Sequence, residues 1–149
     1  MRIALFQPDI AGNVGTILRL GACLATPVDI IEPCGFAFSD RALRRAGLDY
    51  AAVAELVRHA DWEAFLRARA GRIILLTSHG ATPLPQARFR ADDILLLGSE
   101  SRGAPPEVHA AADGRVRIPL APGRRSLNVA VAAGIALSHA LTDVGGWPA

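Results

Sequence analysis

The sequence predicts a protein of the α/β class, with a parallel sheet that carries helices on both faces. Short apolar runs, rich in leucine and β-branched residues, alternate with segments of helical periodicity along the 149 residues. This alternation is typical of parallel sheets, because the connecting helices cover the two faces of the sheet. With 51% hydrophobic residues the chain suffices for one domain, residues 1–149, and no linker or low-complexity segment divides it.

Strands are predicted where the apolar runs are short, and helices where a suitable first residue precedes a longer pattern. The predicted strands cover residues 2–6, 28–31, 73–77, 94–97 and 116–118. The helices are predicted to begin near Val14, Asp40, Asp61, Pro105 and Leu127. Asn13 is a candidate cap for the first helix, because its side chain suits a helix start; contact with a substrate is the alternative.

The last predicted helix, residues 127–142, is apolar on nearly all sides. A helix of this kind is buried on two sides. In a small domain the second side belongs either to another subunit or to the interior of the same chain. We expect a homodimer, with the small residues around Ala133 allowing close approach of the second copy, and the first helix as a further candidate for the interface.

The basic residues are unusual, because all sixteen are arginine although the net charge is only +2. Arginine suits bidentate contacts with phosphate and stacking on bases. A GC-rich genome produces the same preference for arginine over lysine, so composition alone does not establish a nucleic-acid partner.

Cysteine and histidine spacing predicts no metal site. Cys23 and Cys34 form no ligand motif or disulfide framework, and the four histidines share no ligand spacing. This usage favours a reducing, cytoplasmic location. The longest apolar stretch, residues 129–137, is well short of the roughly 18 residues of a membrane span, and residues 2–6 are too short for a signal peptide core.

Two polar loops follow predicted strands in the last third of the chain. One covers residues 98–103 and the other residues 121–126. Ligand sites in α/β sheets form where such loops leave the carboxyl ends of strands, so we expect the site here. The glycine patterns of dinucleotide and triphosphate sites are absent. The partial nucleophile elbow around Ser101 lacks its leading glycine, which argues against a serine hydrolase.

Three further segments carry a family resemblance: PDIAGNVGTILR at residues 8–19, IEPCGF at 31–36 and LRRAGLDY at 43–50. Together with the loops at 98–103 and 117–128, they resemble the SPOUT RNA methyltransferases over almost the whole chain. The resemblance is strongest to the TrmL-type enzymes, which methylate the ribose 2′-hydroxyl of the tRNA wobble nucleotide, a cytidine or modified uridine. It implies a C-terminal trefoil knot, S-adenosylmethionine as cofactor, and a homodimer that binds the tRNA anticodon loop.

The resemblance also implies roles for individual residues. The implied catalytic residues are Arg19, Asn13 and Glu100. A guanidinium keeps its proton, so Arg19 suits positioning and electrostatic stabilisation, and a neighbouring RNA phosphate can accept the proton instead. The cofactor-binding positions are Leu76, Thr77, Gly98, Ile118, Leu120 and Ser126.

Clustered arginines near a cofactor loop suit phosphate binding, and they supply the expected RNA contacts. The expected RNA-binding residues are Arg41, Arg44, Arg45, Arg102, Arg124, Arg125 and Asn128. Close relatives often have a Ser-Asn pair and a tyrosine where Ala130, Val131 and Ser138 stand here. These differences argue against a tyrosine-assisted mechanism. They leave two alternatives open: a knotted methyltransferase for another tRNA or rRNA nucleotide, and a non-catalytic RNA-binding dimer.

Overall fold

A computed structural model describes residues 1–39, 41, 55–80 and 82–149, whose strands form one sheet. Every pairing in this sheet is parallel, and the strand order is β3-β2-β1-β6-β4-β7-β5. The predicted parallel sheet is therefore confirmed. The strands are β1 (Arg2–Phe6), β2 (Val28–Ile31), β3 (Leu56–His59), β4 (Ile73–Leu76), β5 (Thr82–Pro83), β6 (Ile94–Leu97) and β7 (Gly114–Arg117).

Helices cover both faces of the sheet, as predicted. The helices of the described residues are α1 (Ala11–Cys23), α2 (Trp62–Ala68), α3 (Pro106–Ala111) and α4 (Val129–Val144), with a 3₁₀ turn at Leu84–Gln86. Ile3 and Leu5 belong to a core cluster that includes α1 and α4, whereas Ala4 and Phe6 belong to a second cluster that includes α2 and α3. Because side chains alternate along a strand, one apolar run supplies both cores.

The first helix begins earlier than the sequence indicated. α1 starts at Ala11, and Ile10 occupies the N-cap position without a side-chain cap. Asn13 therefore lies in the first turn of α1, and the expectation that it caps this helix is wrong. Asp61 does cap α2, because its carboxylate accepts a hydrogen bond from the amide of Ala64 at 2.7 Å. The helix predicted to begin near Asp40 lies outside the described residues, apart from residue 41.

The last helix has two apolar sides, but they differ from those expected. Ala133 is only 1% exposed and belongs to the same core cluster as α1, so the small-residue side of α4 faces the interior of its own chain. The expectation that Ala133 faces a second copy is therefore wrong. Val131 and Ile135 are the outward apolar residues of the helix, at 51% and 40% exposure. Small residues face inward where α4 packs on α1, and a Cβ on Gly134 would lie 4.0 Å from the Leu20 side chain.

None of the helices within the described ranges combines the length and the apolar character needed to cross a bilayer.

Cys23 and Cys34 are both free thiols, and Cys23 is exposed. Burial raises the pKa of the Cys34 thiol to about 11, so this thiol is neutral at physiological pH.

Candidate active site

A cavity of about 850 Å³ opens where β4, β6 and β7 end. Since these strands are parallel neighbours in the sheet, the loops that follow them meet at one edge. The cavity brings together twelve of the residues singled out from the sequence. They are Asn13, Leu76, Thr77, Gly98, Glu100, Arg102, Ile118, Leu120, Arg124, Arg125, Ser126 and Asn128. Their individual roles stay predictions.

Of the other four predicted residues, two do not line this cavity and two lie outside the described residues. Arg19 is exposed on α1 and is not among the residues that line the cavity. Arg41 is exposed and does not line it either. Arg44 and Arg45 lie outside the described residues. The lining also includes residues that sequence reasoning did not select, among them His79 and His109.

The loop after β6 is closed by a short antiparallel bridge. The amide of Ser99 donates to the carbonyl of Gly103 at 3.1 Å, and the amide of Gly103 donates to the carbonyl of Ser99 at 2.8 Å. Gly103 has a φ of 68°, which favours glycine. A Cβ on Gly98 would lie 2.5 Å from the carbonyl carbon of Gly103. Glycine at position 98 therefore allows the tight closure of this loop.

We expect Gly98→Ala to lower the free energy of unfolding by about 1–3 kcal/mol and to weaken binding of the cofactor that the family resemblance implies, because an added methyl group forces the loop backbone to shift. Thermal or denaturant unfolding, together with calorimetric titration of S-adenosylmethionine, measures both effects. Gly12→Ala is the matched control, since a Cβ there meets no heavy atom within 4 Å and alanine favours the helix. Equal stability and affinity in both variants would contradict the close-packing explanation.

A hydrogen-bond network connects this loop to two helix starts. The side-chain amide of Asn13 donates to one oxygen of Glu100 at 3.1 Å, and the backbone amide of Asp9 donates to the other at 2.7 Å. The side-chain amide of Asn128 in turn donates to the side-chain oxygen of Asn13 at 3.0 Å. The side-chain oxygen of Asn128 caps α4 by accepting hydrogen bonds from the backbone amides of Ala130 and Val131. Asn13 is thus a positioning element that joins α1, the β6 loop and α4.

Asp9 holds the same loop from the other side. Its carboxylate accepts hydrogen bonds from the hydroxyl and the backbone amide of Ser101. These hydrogen bonds hold the pKa of Asp9 below its ordinary value. The contact is therefore intact at neutral pH and is lost only as the pH falls through that lowered pKa. The position of Asp9 just after β1 is a signal by which the sequence could have identified it.

The lining of the cavity combines apolar and basic surfaces. Leu97 is buried, while Leu76 and Ile118 are half-buried. The side chains of Arg102, Arg124 and Arg125 are exposed. Such a site offers an apolar slot for a planar group and cationic side chains for an anionic partner.

The loop after β4 is in close contact with β7. The amide of Thr77 donates to the carbonyl of Val116 at 2.9 Å. A Cβ on Gly80 would lie 2.5 Å from the Val116 carbonyl carbon. The β4 loop is therefore held against strand β7 through the backbone.

Residues 1–138 match the model of the SpoU rRNA methylase family. The chain belongs to that family. It is 53% identical over 146 residues to a tRNA (cytidine(34)-2′-O)-methyltransferase of Beijerinckia indica, an alignment that covers 96% of this chain and 91% of the relative. The family resemblance inferred from the sequence motifs is therefore confirmed.

Solved structures agree with this assignment. One that concerns the 2-OH methylation of C/U34 on tRNA superposes with a TM-score of 0.91 at 41% identity, covering 97% of this chain and 96% of that chain. An AdoMet-bound rRNA methyltransferase from Sinorhizobium meliloti superposes with a TM-score of 0.84 at 27% identity, covering 95% of this chain and 55% of that one. In the part of this chain that the structure describes, no three His, Cys, Asp or Glu side chains form a group suited to a metal ion.

Proposed function

We propose that this protein methylates the ribose 2′-hydroxyl of nucleotide 34 in tRNA, with S-adenosylmethionine as methyl donor. The observation that carries the proposal is the near full-length similarity to relatives named for this reaction, at 53% identity in one and 38% in the Escherichia coli protein. The three-loop cavity and the Asn13–Glu100–Asn128 network supply a site for it.

The cavity fits the cofactor in size and in chemistry. Its volume of about 850 Å³ is within the usual range of ligand sites. Leu76 and Ile118 offer apolar surface to the adenine, while the loops at Thr77 and Gly98 offer backbone groups. When bound, S-adenosylmethionine supplies a methyl group on a sulfonium centre. The positive charge of that centre would be attracted by a nearby carboxylate such as Glu100.

The residues of the network suit the task of holding the ribose. Both oxygens of Glu100 already accept a hydrogen bond, so this carboxylate has a fixed orientation and can accept from a ribose hydroxyl through its remaining lone pairs. The hydroxyl proton passes to an RNA phosphate. The guanidinium of Arg19 stabilises the negative charge that develops on the attacking oxygen.

We further propose a homodimer formed through the outer side of α4. Val131 and Ile135 are exposed on that helix, Leu127 just before it, and Ile10 at the start of α1, each between 38% and 51% exposed. Several exposed large apolar residues in one region favour a protein interface. In the dimer, Arg19 of one subunit serves the cavity of the other, which is consistent with its exposed position on α1 outside its own cavity.

We also propose that the segment after β7 is threaded through the β4 and β6 loops as a trefoil knot. Support comes from the insertion of β7 between β4 and β5, and from the start of α4 on the opposite side of the sheet from α3. A cytoplasmic location is proposed as well, supported by the two free cysteines.

A reconstituted reaction tests the function. We expect the purified protein, with labelled S-adenosylmethionine in the presence of a chelator, to add one methyl group to nucleotide 34 of tRNA taken from a strain that lacks the enzyme. The same tRNA carrying a 2′-deoxynucleotide at position 34 should accept none, since the attacking hydroxyl is missing. Mapping by nuclease digestion and mass spectrometry locates the methyl group.

Other outcomes of that experiment identify the alternatives. Methylation of a different nucleotide would replace nucleotide 34 as the substrate. Tight binding of tRNA without any transfer would indicate a non-catalytic RNA-binding protein.

Calorimetry in chelator should show undiminished binding of S-adenosylmethionine, because the transfer needs no Lewis acid.

A further inference from the structure

A basic surface lies on the side of the sheet that α3 covers. Arg115 and Arg117 are two residues apart on β7, so their side chains point to the same face. Arg115 is in register with Leu75, whose side chain packs in the cluster of α2 and α3, whereas Val116 packs in the opposite cluster. The two arginines therefore project on the face where α3 carries His109.

This surface is continuous with the main cavity. A second open pocket, of about 680 Å³, is lined by His109 and Arg115 together with small residues of the segment 104–112. It shares Ala104 and His109 with the main cavity, and Arg117 also lines that cavity. We refer to His109, Arg115 and Arg117 as the basic strip.

The charge of the basic strip has no counterpart among the described residues. Within the described ranges no side-chain hydrogen bond or ion pair engages any of its three members. Some arginines elsewhere in the chain are neutralised: Arg72 forms a bidentate pair with Asp93 at 2.8 Å.

The acidic residues adjoining the strip leave its charge available. The Oδ2 atom of Asp113 accepts hydrogen bonds from the amide of Ile73 at 2.8 Å and from Arg69 at 3.1 Å. On α3 itself, Glu107 is exposed to solvent. An uncompensated cationic pocket of this kind attracts an anion.

We propose that the basic strip binds a phosphate of the tRNA strand that flanks the methylated nucleotide. The inference rests on the proposed function. A guanidinium binds phosphate in a bidentate manner, and an imidazole can donate one N–H in either tautomer. Arg115 lines the outer pocket and not the main cavity, so its charge lies outside the space assigned to the cofactor.

The position of the strip is compatible with the proposed dimer. The outer residues of α4, Val131 and Ile135, lie on the other face of the sheet from α3. A dimer formed through α4 therefore leaves the strip open to RNA. The exposed Arg102, which lines the same cavity, continues the positive surface toward the site of reaction.

Binding of tRNA at several salt concentrations tests the proposal. We expect Arg115→Gln to weaken tRNA affinity about fivefold and to reduce the slope of log affinity against log salt by about one, because one phosphate contact is lost. Arg115→Lys should restore much of the affinity. Arg67→Gln, an exposed arginine on α2 with the same change in charge, is the matched control and should bind like the wild type.

Calorimetry with S-adenosylmethionine shows whether the strip binds a tRNA phosphate or the carboxylate of the cofactor. Cofactor affinity should be unchanged in Arg115→Gln. A variant that loses cofactor affinity but keeps wild-type tRNA affinity would assign the strip to the cofactor carboxylate and overturn the proposal. Equal affinity and salt slope in Arg115→Gln and Arg67→Gln would overturn it as well. A wild-type protein that binds tRNA but methylates another nucleotide would refute the proposed function while leaving the phosphate site standing.

Discussion

Replacing Arg19 by alanine is expected to lower the rate of methyl transfer by about two to three orders of magnitude, the usual effect of removing a group that stabilises developing charge. The free energy of unfolding and the affinity for S-adenosylmethionine should stay near those of the wild type, because the side chain is exposed and does not line its own cavity. Arg19→Lys should recover little, since a flexible ammonium does not reproduce the planar guanidinium. Single-turnover kinetics at saturating tRNA measures the transfer step.

The control for charge alone is Arg67→Ala, which should transfer methyl groups at the wild-type rate.

Mixed dimers test whether Arg19 acts across the interface. Neither Arg19→Ala nor a cavity variant such as Glu100→Ala should be active alone. A mixture of the two should regain activity, because one kind of site then contains both functional groups. A wild-type rate in Arg19→Ala would refute its catalytic role, and the absence of recovery in mixed dimers would place Arg19 in its own subunit's site.

Ile135→Glu is expected to dissociate the proposed dimer and to abolish most activity with it. The side chain is 40% exposed on the outer side of α4, where a second copy would bury an unpaired carboxylate. Such burial costs several kcal/mol unless the interface separates. Analytical ultracentrifugation over a concentration series, paired with methylation assays, follows dimer content and activity together.

Two further variants give this experiment its controls. Ala70→Glu adds the same carboxylate at an exposed position between α2 and β4, and it should leave both the dimer and the activity unchanged. Ala133→Glu places the charge in the core between α4 and the rest of the chain, so it should lower the stability of the subunit itself. A monomeric Ile135→Glu protein with full activity would refute a site shared between subunits.

The fold was predictable from sequence where burial dictates the residue pattern. The runs at Arg2–Phe6 and Ile94–Leu97 are apolar because both strands lie in the middle of a parallel sheet. β3 was not predicted, because it lies at the edge of the sheet, where Val57 and Arg58 are exposed and interrupt the apolar run. β5 has two residues, one of them Pro83, and leaves no periodic signal.

The site was predictable in its location but less so in its connections. Polar loops after β6 and β7 pointed to the correct edge of the sheet. The role of Asn13 depends on Glu100 and Asn128, which are far away in the chain, so local sequence suggested a helix cap instead. His109 lines the cavity because α3 packs beside it, and no local pattern indicates that. The trefoil knot was implied by the family resemblance alone.

The place of β7 in the sheet determines when the cavity can form during synthesis. β7 is the last strand in the chain, yet it lies inside the sheet between β4 and β5. A nascent chain that ends before Gly114 leaves β5 without its neighbour, lacks the Val116 carbonyl that holds the β4 loop, and lacks Asn128. Such a ribosome-bound fragment has only part of the cavity. The complete cavity therefore requires that β7 and the start of α4 have both been synthesised.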